Sequence, residues 1–112
     1  LCEDIRTINV HQRKKVDVII LNQLLWYVLK TLDKTIINCL DLLKPGGSVL
    51  ISQAFLKTPQ MYGKDICDGY KGLIKYLNDK EYKIVYSDLD DSDYFIHRDG
   101  LVIIEKGENY DN

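Results

Sequence analysis

Two short apolar runs flank a segment with helical periodicity, and this arrangement limits the folds open to the chain. The runs are "DVIIL" at 17–21 and "SVLIS" at 48–52. A brief continuous apolar run suits a strand covered on both faces. Between them Leu32, Ile36, Leu40 and Leu43 recur at helical spacing, with Cys39 beside them. Asp33, Lys34, Asn38 and Asp41 occupy the rest of the helix. The helix is expected to stop at Lys44, because Pro45 disfavours helical geometry in the residue before it. Gly46 and Gly47 permit positive φ and predict a tight reversal. Two strands joined through a helix are parallel, with a right-handed crossover.

The second half repeats this logic once and then departs from it. Residues 53–65, with Pro59 and Gly63, read as a polar loop. Ile66, Tyr70, Leu73, Ile74 and Leu77 predict a second helix over 66–78. Gly69 and Gly72 within it each cost about 1 kcal/mol relative to alanine. "YKIVYS" at 82–87 alternates in polarity and carries Lys83, as an edge strand does. The acidic run 88–93 reads as a loop. The last strand is expected at 101–106, with no helix before it, so it is antiparallel to its neighbours. Ranking the strands by polarity predicts the order first, second, fourth, third. The fold class is α/β: parallel strands with the last strand inserted antiparallel.

A length of 112 residues suits a single domain. The net charge of −2 argues against nucleic acid or an anionic membrane as partner. Arg13-Lys14-Lys15 is too short a basic run to change that, and reads as a solvated loop. Three cysteines without a CxxC pair, and two histidines, make a zinc site unexpected. Such cysteines suit reduced thiols and a cytoplasmic location. No apolar stretch approaches the roughly 18 residues of a membrane span, and no signal peptide is visible. The first residue is Leu1 rather than methionine, so the chain is expected to be part of a longer one.

"VDVIILNQLLWYVL", then "CLDLLKPGGSVLIS", then a helix and a closing antiparallel pair resemble the C-terminal half of a class I S-adenosylmethionine-dependent methyltransferase, with its Rossmann-like sheet. The resemblance covers nearly the whole chain. It implies that 17–21 and 48–52 correspond to the family's fourth and fifth strands. The final strand then corresponds to the family's seventh, inserted antiparallel between fifth and sixth. "CEDIRTI" looks like the end of the third strand and the segment after it. By resemblance Asp4 would accept a hydrogen bond from the adenine amino group, with Ile5 against the ring. The family's GxGxG-like loop and ribose-binding acid have no counterpart here. Residues 1–112 are therefore expected to form the C-terminal part of a methyltransferase-like domain, and to bind S-adenosylmethionine weakly or not at all when isolated. In doubly wound sheets the ligand lies outside the carboxyl ends of the strands. "KPGG" would then lie at the opposite end, as a mark of the fold rather than a catalytic loop.

Asn22 and Gln23 come directly after the first strand at the carboxyl end, where they would contact cofactor; the competing role is helix capping. "NQLLWY" lacks the two prolines of the Asx-Pro-Pro-aromatic motif found in the family's nucleic-acid amino methyltransferases. Trp26 could stack on cofactor or substrate, or anchor the core. Gln53 and Tyr62 are candidate substrate contacts, with a solvated loop as the alternative. His97 could serve as a general base, although its place near the closing strand favours a structural role. The acidic run 88–93 could hold a divalent metal, but a solvated loop is expected. The reaction implied is methyl transfer from S-adenosylmethionine to a small-molecule nucleophile, by alignment and exclusion of water. No acid or base can be assigned. The alternative is a non-catalytic interaction module that kept the sheet and lost the cofactor loop. Without the family's first strand, the strand at 17–21 would expose an edge open to self-association.

Overall fold

The computed structural model describes residues 15–56, 65–90 and 97–107. Strand β1 (Val16–Asn22) leads into the short helix α1 (Leu25–Val28) and a 3-10 turn at Leu29–Thr31. Next come helix α2 (Leu32–Leu42), strand β2 (Leu43–Leu56), helix α3 (Gly69–Asp79), and strands β3 (Lys83–Leu89) and β4 (His97–Glu105). The sheet order is β1-β2-β4-β3. β1 and β2 are parallel, and β4 lies antiparallel between β2 and β3. This is the order expected from strand polarity. Among the described residues, no helix is long and apolar enough to cross a membrane.

Side chains alternate across a strand, so each strand offers two faces. Leu21, Val49, Ile51, Phe55, Val102 and Ile104 are buried on one face of the sheet. Ile36, Cys39 and Leu40 of α2, with Leu73 and Leu77 of α3, join them in a single core. The other face is different. Val18 and Ile20 are 52% and 62% exposed, and Leu50, Leu101 and Ile103 are only partly buried. The expectation that "DVIIL" is covered on both faces therefore fails among the described residues. An apolar run reports a preference for burial, but not which elements supply the cover.

The "KPGG" segment also departs from expectation. The helix ends at Leu42, and Leu43 is already extended at φ −82°, ψ 146°. Val16 pairs with Leu43 and Val18 with Ser48, so residues 44–47 stand opposite Asp17 alone. The segment is a wide bulge within β2, not a reversal. Proline has no N–H to lose from the ladder at such a place. Gly46 N donates to Lys106 O at 2.9 Å, and Lys106 N donates to Gly47 O at 2.8 Å. The Lys106 ammonium is itself buried and donates to Leu43 O at 2.8 Å. Burial lowers its pKa, and the nearby Lys15 charge adds to the effect, against the opposing pull of Asp41.

Other boundaries shift for local reasons. α3 begins at Gly69 rather than near Ile66, after Asp68 in the extended region and with Gly69 at φ +68°. β3 takes Asp88 and Leu89 from the acidic run, where they pair with Leu101 and Gly100. β4 starts at His97, opposite Leu56, because the long β2 supplies ladder partners that far.

Candidate functional site

The carboxyl ends of the parallel pair β1 and β2 meet where the chain leaves β1. The last paired residues are Asn22 and Ser52. Gln23 N then donates to Ser52 O at 2.8 Å, one step past the strand. Gln23 has φ +58°, in the left-handed region, which costs a non-glycine residue about 1–2 kcal/mol. That conformation turns the chain abruptly towards α1.

Helix α1 starts without a local cap: Leu24 precedes it and makes no side-chain cap bond. The first N–H groups of a helix need acceptors. Leu25 N finds one in Gln53 Oε1 at 3.1 Å, from the neighbouring strand. Gln53 is only 3% exposed. Its Nε2 donates to Gln23 Oε1 at 3.2 Å and to Ala54 O at 3.4 Å. Gln23 Oε1 also accepts from Ala54 N at 3.0 Å. The two glutamines thus cap each other's segment. Gln53 caps the helix after β1, and Gln23 caps the backbone of β2 where β1 has ended.

Of the site residues expected from sequence, Asn22, Gln23, Trp26 and Gln53 come to this one end of the sheet. Asn22 and Gln23 are exposed and Gln53 is buried, and the two glutamines are bonded to each other. Trp26 is half-buried and meets Phe55 edge to face, with centroids 5.7 Å apart and planes at 87°. Phe55 meets Tyr70 of α3 in the same way, at 5.7 Å and 79°. Gly100 of β4 lies against this row; a Cβ there would be 2.7 Å from Phe55 Cε2 and 2.9 Å from Tyr70 Cδ1. Phe55 went unremarked in the sequence, although its spacing of two from Gln53 places both on one face of β2. Asp4, Ile5 and Tyr62 lie outside the described residues. The backbone of His97 pairs with that of Leu56.

The "KPGG" bulge lies opposite Asp17 near the start of β1, at the other end of the strand from Asn22. A separate cleft of about 380 Å³ runs along α3, lined by residues that include Asp65, Asp68, Tyr76 and Lys80. Near it the Tyr82 hydroxyl donates to Asp33 Oδ1 at 3.0 Å. The Tyr76 phenol is pushed up to about 12 by burial and by the charge and hydrogen bond of Asp33. Among the described residues, no group of three or more His, Cys, Asp or Glu could hold a metal ion.

At this end of the sheet Asn22 and Leu24 are exposed and Trp26 is half-buried.

No protein-family model and no curated protein matches the sequence. Solved structures do. N-methyltransferase NodS from Bradyrhizobium japonicum WM9 aligns with a TM-score of 0.71 at 19% identity, over 95% of this chain and 58% of that one. NodS in complex with S-adenosyl-L-homocysteine aligns with a TM-score of 0.64 at 16% identity, over 93% of this chain and 52% of that one. The chain spans somewhat more than half the length of these structures. Among the described residues, the α/β fold with its mixed four-strand sheet and β4 inserted antiparallel matches part of this methyltransferase fold.

Proposed function

We propose that this chain forms part of an S-adenosylmethionine-dependent methyltransferase that acts on a small-molecule nucleophile. The observation that carries the reading is the strand order β1-β2-β4-β3, aligned over 95% of the chain with an N-methyltransferase. The cofactor would supply a methyl group on a sulfonium, already activated for transfer. The residues here would bind, align and exclude water. Asn22, exposed at the carboxyl end of β1, would hydrogen-bond a ligand there, where doubly wound sheets bind theirs. Trp26, which meets Phe55 edge to face, would offer an aromatic wall at the same end of the sheet. Catalysis of this kind rests on alignment of nucleophile and donor, so rigidity at this turn matters more than a dedicated base.

Titration calorimetry with S-adenosyl-L-homocysteine tests the reading. The full-length protein is expected to bind in the micromolar range or tighter, and the 112-residue chain far more weakly. A folded full-length protein that does not bind it would sink the proposal, and would leave a non-catalytic interaction module as the better account.

A further inference from the structure

The two glutamines expected to touch ligand are bonded to each other within the protein, and their arrangement points to a further task. Gln53 and Gln23 are 30 residues apart and yet bonded side chain to side chain at 3.2 Å. Together they supply the acceptor for Leu25 N and the acceptor for Ala54 N. Both backbone groups lie just beyond the last β1–β2 pair, where the ladder no longer satisfies them. Between the two anchor points lies the turn 22–25, whose pivot is the left-handed Gln23. A residue with a disfavoured φ persists there only if its surroundings hold it.

We propose that Gln53 and Gln23 are positioning residues that act as a reciprocal clamp on the turn after β1. Gln53, itself buried, fixes the start of α1 through Leu25 N and fixes the Gln23 side chain through Oε1. The clamp sets where Asn22 and Leu24 present themselves to ligand. This inference rests on the methyltransferase reading, because the ligand at the turn is the cofactor.

The test compares affinity with stability in the full-length protein, with calorimetry of S-adenosyl-L-homocysteine and thermal unfolding measured on each variant. Gln53→Leu removes all three side-chain bonds of Gln53 and is expected to weaken binding at least about tenfold. Gln53→Glu keeps an acceptor for Leu25 N but sets a carboxylate oxygen against Gln23 Oε1, so an intermediate loss is expected. Ile84→Ala, on the opposite edge strand, lowers stability and should leave affinity unchanged. Should Gln53→Leu not fold, Gln53→Glu against Ile84→Ala carries the comparison. Wild-type affinity in the Gln53 variants overturns the clamp, as does a loss in Ile84→Ala that tracks its stability. Absence of binding by the wild type overturns the functional reading, and the inference with it.

Discussion

Thr35 is fully buried in α2, and its hydroxyl has no hydrogen-bond partner among the described residues. A buried hydroxyl left unpaired costs about 1–3 kcal/mol, and replacement by an apolar group of the same shape removes that penalty. Thr35→Val is therefore expected to stabilise the chain by about 1 kcal/mol. A urea midpoint that falls instead would show that the hydroxyl is satisfied. Cys39 and Cys67 are also buried. Burial pushes both from 9.0 up to about 12, with the Asp68 charge adding to the rise at Cys67. Folded thiols thus keep their protons at a pH where unfolded ones lose them. Above about pH 9 the unfolded state binds fewer protons, so stability falls as pH rises towards about 12. Tyr76, raised from 10.0 to about 12 by burial first, acts in the same direction. The urea midpoint should drop between about pH 8 and about pH 10.5, and less steeply in a Cys39→Ala, Cys67→Ala variant. Equal slopes would show that the thiols do not carry the effect.

At the scale of elements, the junction of α2 and β2 depends on one close approach. A Cβ on Gly47 would lie 2.8 Å from Asp17 O and 2.9 Å from Lys44 O, both backbone atoms. Neither can move without disturbing β1 or the bulge. Gly47→Ala should cost about 1–3 kcal/mol, the range for forced overpacking. Unchanged thermal stability would mean that the bulge can shift register at no cost. The same junction is braced from the residue that follows β4, through the Lys106 backbone and ammonium. The bulge is therefore a three-strand feature, although its sequence looks like a simple helix stop.

On the scale of the whole molecule, β1 is an edge strand among the described residues. Its apolar side chains Val16, Val18 and Ile20 are 39%, 52% and 62% exposed. An apolar edge without proline recruits other chains. The 112-residue chain alone is expected to self-associate through 16–22 and the face beside it. Light scattering coupled to size exclusion measures this. A clean monomer over a roughly hundredfold range of concentration would mean that the edge is covered, and would end this expectation.

Strand order is legible in the sequence, because polarity along a strand reflects how much cover it receives. Lys83 and the alternation around it mark the outer strand, and the unbroken "LVII" of β4 marks an inner one. Helix positions were legible because periodicity is local: Leu32, Ile36 and Leu40 report one face without reference to any other element. Register and partnership are not local. Nothing in "NQLLWY" says that Gln23 will meet a glutamine on the next strand, since that depends on Asn22 falling opposite Ser52. Nor does "KPGG" reveal a bulge, which exists only because β1 and β4 bond on either side of it. The sequence by itself determined which elements form and how they are ordered. Tertiary structure alone decided how the ends of β1 and β2 are locked together, because hydrogen bonds between segments 30 residues apart depend on the relative placement of whole strands.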